Sequence, residues 1–178
     1  KIYLIIRPKR NISPKKRFLK ILNNTYLRPF LKPFVNKIII LNGNLLDKNL
    51  GIEKSILTEI GHTLDIFINC AASVKFFDPI KIALNNNFNT VKNVMETNLK
   101  YFTNLKKYIH VSTFYVNFPQ GVKSSDFLNY KEILNLIEKG YSFNNIQKQF
   151  NIKFNNTYVF TKYLAEMYIK DITNNTFL

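Results

Sequence analysis

Apolar positions along the chain fall into two kinds of run. Short unbroken ones, Ile2 to Ile6, Lys37 to Leu41, Asp65 to Asn69 and Tyr108 to Ser112, read as buried strands. Between them lie longer stretches whose apolar residues recur at helical spacing. Ser13-Pro14 offers a capping hydroxyl followed by proline at the first helical position, and the helix it opens runs through Phe18, Leu19 and Leu22. Ile52 to Ile60 reads as a short helix stopped by Gly61. Asp78-Pro79 opens a long helix reaching Asn98, Phe127 to Lys139 and Asn144 to Phe150 follow, and a last helix starts at Thr157 and continues to Ile172.

Apolar strands separated by helices imply a parallel sheet buried on both faces. Right-handed crossovers then predict an α/β fold, a doubly wound parallel sheet of Rossmann-like type, with ligands at the carboxyl ends of its strands. Neither a repeat nor an interdomain linker interrupts the pattern, so residues 1–178 read as one domain. No apolar run approaches the roughly 20 residues that span a bilayer.

Composition adds little until charge is considered. A single cysteine, Cys70, excludes an internal disulfide framework and reads as a buried small hydrophobe; Cys and His together are too few for a zinc site, so no metal is expected. The formal charge is +15, and residues 1–50 hold 12 Lys and Arg against the lone Asp47. A surface for a polyanion would produce this excess. So would a coding sequence rich in A and T, which also favours the abundant Asn, Ile, Phe and Tyr.

Candidate chemistry sits at the strand ends. Arg7 follows the first strand, Asn69, Cys70, Ala71 and Ala72 end the third, and Ser112 and Thr113 end the fourth. Tyr158 and Lys162 lie four apart on the last helix, which places them on one face. A lysine ammonium beside a phenol favours the phenolate, and a Ser or Thr hydroxyl across a pocket can hold a substrate oxygen. Such a set can give a proton to a carbonyl while a nicotinamide gives hydride. With 10 Tyr in 178 residues and lysine abundant, about one such pair arises by chance, so order and context carry the reading.

Those contexts resemble one family in order along almost the whole chain. Ile68-Asn-Cys-Ala-Ala-Ser-Val-Lys-Phe76 is similar to the "HCAATVRF" segment of the alcohol-forming fatty acyl-CoA reductases, and Asp78-Pro79 with Ala83-Leu84-Asn85 continues it. His110-Val-Ser-Thr-Phe-Tyr-Val-Asn117 resembles their "HVSTAYVN", and Asn156-Thr-Tyr-Val-Phe-Thr-Lys-Tyr-Leu-Ala-Glu166 their "NTYTFTKALAE". Ile5-Ile-Arg-Pro8 resembles "LIRP", with Ser13-Pro-Lys-Lys-Arg17 as the helix start after it. Asn42-Gly-Asn-Leu45 and Asn49-Leu-Gly-Ile52 are similar to "GDL…NLGL".

The resemblance implies an extended short-chain dehydrogenase/reductase that reduces long-chain acyl-CoA to fatty alcohol with NADPH. It implies Tyr158 as proton donor, Lys162 as the group that lowers its pKa and binds the nicotinamide ribose, and Thr113, with Ser112 as second choice, holding the carbonyl oxygen. Arg7 is implied to meet the 2′-phosphate of NADP. Asn44, Leu45, Asn69, Ala71 and Ala72 are implied to line the adenosine side. The expected partner is a long-chain acyl-CoA and not nucleic acid. Membrane association would come through segments outside this chain, with a peroxisomal or endoplasmic reticulum membrane, cytosol-facing, as the location. His110 reads as structural.

The chain also departs from that pattern. Its five glycines show no GxxGxxG spacing, and Lys1 already sits in the family's second strand. Asn44 replaces an Asp, and Thr90-Val91 a Gly-Thr pair. The expectation is a partial NADP-binding domain, incomplete at both ends, lacking the first strand, the Gly-rich loop and the acyl-binding region. Alone it is expected neither to bind NADPH tightly nor to turn over. Three rivals remain: a nucleotide-sugar epimerase or dehydratase, an inactive truncated relative, and a basic nucleic-acid module. The segment Phe118 to Asn155 is longer than sugar enzymes usually carry. A nucleic-acid module needs aromatics interleaved with cations on one surface, whereas Phe18, Phe30 and Phe34 read as core.

Overall fold

The computed structural model describes residues 1–117 and 129–176. Four strands form, all in parallel pairs. Strand β1 (Ile2–Ile6) pairs with β2 (Ile38–Asn42) in the register Ile2 to Ile38, and β3 (Ile66–Asn69) pairs with β4 (Lys107–His110) in the register Ile66 to Lys107. Each lies within two residues of its predicted run. The helical crossovers are where the pattern requires them.

Helix α1 (Pro14–Leu22) starts as read from sequence: Ser13 Oγ accepts from Lys16 N at 3.3 Å and Pro14 occupies the first turn. It buries Phe18 and packs on β1 and β2. An unforeseen helical stretch follows, α2 (Arg28–Leu31) continued by a 3-10 turn at Lys32–Lys37. Phe30 and Phe34, expected in the core, are exposed there, while Leu31 and Val35 take the half-buried inner side. Their apolar character suggested burial, but which side of a helix meets the domain is set by packing.

Helix α3 (Lys54–Gly61) precedes β3. Gly61 is buried within its last turn rather than merely ending it: a Cβ there would lie 1.9 Å from the Tyr101 carbonyl oxygen. The predicted long helix is three pieces, α4 (Ile80–Leu84), a π-helical turn (Asn85–Asn89) and α5 (Thr90–Tyr101). After β4 and a 3-10 turn (Phe114–Asn117) come α6 (Tyr130–Glu138), α7 (Phe143–Gln149) and α8 (Thr157–Thr176). Residues 118–128, which open the long segment noted above and include the first predicted turn of α6, lie outside the described residues.

Two apolar clusters organise these elements. One is helical, with Phe88, Val91, Ile133, Ile137, Ile146, Phe160 and Leu164 at its centre. The other holds Leu50, Leu57, Val94 and Phe102, with Ile5, Leu41 and Phe67 from three strands packed against it. Tyr108 of β4 touches both. The β1–β2 pair therefore has α1 on one face and this second cluster on the other. The expectation of burial on both faces fails for β3–β4: Phe67 and Tyr108 point into the core, while Ile66, Ile68, Ile109 and Val111 are exposed.

Candidate active site

Helix α8 is central to the site. Asn156 caps it, its Oδ1 accepting from Val159 N at 2.9 Å. The helix then buries Phe160, Thr161, Lys162, Leu164 and Ala165 almost completely. An ammonium in such a position requires partners, because desolvation opposes its charge. Lys162, 1% exposed, donates from Nζ to the Val111 carbonyl oxygen at 2.6 Å and lies 3.2 Å from His110 Nε2. Burial pulls its pKa below the ordinary lysine value, against weaker raising influences from Glu166 and Cys70.

With Lys162 as an ammonium, which has only protons to offer, the contact is satisfied when His110 Nε2 accepts and Nδ1 carries the hydrogen. That Nδ1 is buried with no hydrogen-bond partner among the described residues. Burial, and then the Lys162 charge, lower the His110 pKa to about 4. His110, read from sequence as structural, is thus in direct contact with the lysine.

Lys162 is thereby brought to the end of β4, where Ser112 and Thr113 follow Val111. The Ser112 hydroxyl is buried and unpaired among the described residues, so a substrate does not reach it in this conformation. Thr113 is half-buried and begins the 3-10 turn that packs against α8, its carbonyl accepting from Val116 N at 3.3 Å. Tyr158 sits one turn before Lys162, half-buried, with its ring 5.6 Å from that of Phe76.

Phe76 is carried by the loop after β3, and two side chains hold that loop. The Thr157 hydroxyl lies 2.8 Å from the Asp78 carbonyl oxygen and 3.1 Å from that of Phe76. Asn87, 2% exposed in the π-helical turn, accepts from Ser73 N at 2.8 Å and donates Nδ2 toward Ser73 O and Thr161 Oγ1, each at 3.2 Å. Sequence reasoning missed Asn87. A π-helical turn is a frequent mark of function, but three adjacent asparagines gave no reason to choose the third.

Asn69 is buried at the end of β3, donating Nδ2 to the Tyr108 hydroxyl at 3.3 Å and accepting from Ala71 N at 3.2 Å. Ala71 and Ala72 are exposed, which leaves their backbone approachable. Cys70 is exposed as well, contrary to its expected burial, because the chain leaves the sheet at Asn69.

A second feature lies at the carboxyl ends of β1 and β2, a cleft of about 610 Å³ lined by Arg7, Lys9, Arg10, Asn42, Gly43, Asn44, Asp47 and Gly51. Its far wall is shaped by three consecutive left-handed residues, Asn49, Leu50 and Gly51, and Asn44 N donates to the Leu50 carbonyl oxygen at 2.7 Å. Burial of the Leu50 side chain offsets that strain. Leu45, expected at the cofactor, is not part of the lining: its side chain packs into the core and its carbonyl accepts from Asn93 Nδ2 at 2.9 Å. Three cations against one carboxylate leave the cleft positive, a fit for a phosphorylated nucleotide.

Parallel strands, helical crossovers and polar groups gathered at strand ends define a Rossmann-like α/β domain. The male sterility protein family, an NAD-binding family, matches residues 1–177, and the chain belongs to it. Fatty acyl-CoA reductase 2, chloroplastic, of Arabidopsis thaliana is 30% identical over 126 residues, covering 66% of this chain and 20% of that protein. Fatty acyl-CoA reductase 1 of Gallus gallus is 25% identical over 182 residues, covering 95% and 34%.

Among solved structures, the terminal R domain of the myxalamid PKS-NRPS pathway superposes with a TM-score of 0.68 at 16% identity, over 98% of this chain and 39% of that one. The thiolation-reductase di-domain of an archaeal non-ribosomal peptide synthetase gives 0.62 at 23%, over 98% and 42%. These structures share the fold. The chain spans about a third of the length of the curated relatives it matches.

Proposed function

We propose that this chain is the catalytic and cofactor-binding segment of an NADPH-dependent reductase that converts long-chain fatty acyl-CoA to fatty alcohol. The observation that carries the reading is the buried Lys162, held by His110 and by the Val111 carbonyl two residues before Thr113, and one helical turn from Tyr158 in sequence. NADPH supplies hydride when bound. Arg7, with Lys9 and Arg10 around it, would hold the 2′-phosphate, and Asn44 of the same cleft the adenosine side. Asn69, Ala71 and Ala72, which follow β3 outside that cleft's lining, would approach the adenosine from the next strand end. Lys162 would meet the nicotinamide ribose.

Thr113, the less enclosed of the two hydroxyl residues, orients the substrate carbonyl oxygen; Ser112 could do so only if its enclosed hydroxyl were uncovered. Tyr158 donates its phenolic proton to that oxygen, and the nearby ammonium of Lys162 steadies the phenolate left behind. In the first round the thioester carbon gains hydride and expels CoA thiolate, giving aldehyde. In the second the aldehyde carbon gains hydride and its oxygen takes the Tyr158 proton, giving alcohol.

The test uses the full-length protein that carries this sequence, with palmitoyl-CoA and NADPH. Fatty alcohol should form, and Tyr158→Phe should lower turnover about a hundredfold or more while leaving NADPH binding intact. Wild-type turnover by the Phe variant would overturn the role of Tyr158. Absence of any reduced acyl product from the folded parent would overturn the activity.

A further inference from the structure

The segment between α1 and β2 presents an apolar stripe outward. Leu27, Phe30 and Phe34 fall at spacings of three and four, and they are 45%, 74% and 49% exposed. Tyr26 beside them is 83% exposed, its backbone fixed by Asn24 Oδ1, which accepts from Tyr26 N at 3.0 Å. Leu31 and Val35 face inward. The stripe is thus the outer side of a two-sided helical segment whose inner side is already used.

Cations surround it. Lys20, Arg28, Lys32 and Lys37 are exposed, and Lys37 Nζ lies 5.8 Å from the centre of the Phe34 ring. No Asp or Glu occurs before Asp47. Apolar and aromatic side chains framed by unneutralised Lys and Arg are the surface chemistry that sits at the boundary of headgroups and acyl chains.

We propose that the Tyr26–Lys37 segment docks this domain onto an anionic lipid surface. Phe30 and Phe34 enter the acyl boundary, and Arg28, Lys32 and Lys37 meet lipid phosphates. The other occupants fit less well. A second copy in a two-fold pairing would set this cationic surface against itself without a carboxylate to neutralise it. A nucleic acid would use the rings for stacking but find no use for the exposed Leu27, Leu19 and Ile21. The inference stands whether or not the reductase chemistry does.

Residues 1–178 contain no tryptophan; in the full-length protein that carries this sequence, Phe30→Trp adds a reporter at the centre of the stripe, read as the difference from the parent's own emission. With vesicles of phosphatidylcholine containing phosphatidylserine, its emission should shift to the blue and be quenched by lipids brominated on their tails. Co-sedimentation with those vesicles should weaken about tenfold or more in Arg28→Glu/Lys32→Glu and in Phe30→Ser/Phe34→Ser. The charge-reversal pair alters no packed side chain and decides the matter if the serine pair folds poorly. No shift with anionic vesicles would overturn the proposal. So would emission already blue before lipid is added, or a shift given by an oligonucleotide and not by vesicles.

Discussion

Lys162 Nζ and His110 Nε2 lie 3.2 Å apart, joining α8 to the end of β4, and with Lys162 charged a neutral imidazole satisfies that contact. The pair gives the fold a pH dependence of definite sign. His110 titrates near 4 when folded against about 6.5 when unfolded, so between those values the unfolded chain binds the extra proton. Stability from this residue is complete above the unfolded pKa and falls as pH drops from there through about 4. The loss should be on the order of 2 kcal/mol. Urea midpoints of the parent and of His110→Gln, measured at pH 7 and at pH 4.5, should show a distinctly smaller fall in the variant. Equal falls would show that the histidine is not held neutral.

Lys162 shifts in the same direction at higher pH. Burial lowers its folded pKa, so stability from this residue is complete only above the ordinary lysine value and falls as pH drops from there through the folded pKa, and at neutral pH the buried charge opposes folding. Lys162→Met keeps the volume and removes that charge, at the loss of the hydrogen bonds to Val111 and His110. The melting temperature should hold or rise by about 2–4 °C while turnover disappears. A drop of ten degrees would mark the lysine as a structural tie rather than a functional group.

Asn87 tests whether the loop carrying Phe76 depends on one side chain. Asn87→Ala strands the Ser73 N–H and carbonyl and removes a partner of Thr161, which should destabilise by about 2–3 kcal/mol. Thr161→Val, which removes one bond to Asn87 and one back to the Thr157 carbonyl, should do less harm. Denaturant melts of the two variants rank them. If Thr161→Val proves the worse, the clamp is the helix and not the asparagine.

Elements were legible from sequence because strand runs and helix starts are local signals, and Ser13-Pro14 or Ile2 to Ile6 needs no partner to be read. Orientation was less so. Phe30 and Phe34 obey helical spacing, yet spacing does not say which side meets the domain. The Tyr158, Lys162 and Thr113 set came from a resemblance over the whole chain. The contacts that hold Lys162 and Asn87 reach 14 to 74 residues away and leave no periodic trace.

Two glycines separate crowding from backbone strain. A Cβ at Gly61 would collide with the Tyr101 backbone, so Gly61→Ala must push α3 from α5 and should lower stability by on the order of 3 kcal/mol or more. Gly140 has nothing within 4 Å but holds φ at +92°, so Gly140→Ala should lose only about 1 kcal/mol, through conformation alone. Thermal melts of both should differ clearly. Similar losses would mean that α3 can slide.

If the proposed function holds, Arg7 is the residue that would favour one nicotinamide cofactor over the other. It lines the positive cleft at the end of β1, and the Arg17 guanidinium donates to its carbonyl oxygen, so α1 holds the backbone from which it projects. A phosphate on the ribose would give its guanidinium a charge-assisted contact that a bare hydroxyl cannot match. In the full-length protein that carries this sequence, Arg7→Leu should weaken NADPH binding about tenfold or more and leave NADH nearly unchanged. Lys9 and Arg10 remain in the cleft, so binding should be weakened rather than abolished. Titration by nicotinamide fluorescence reads both constants, and equal losses for the two cofactors would place the 2′-phosphate elsewhere.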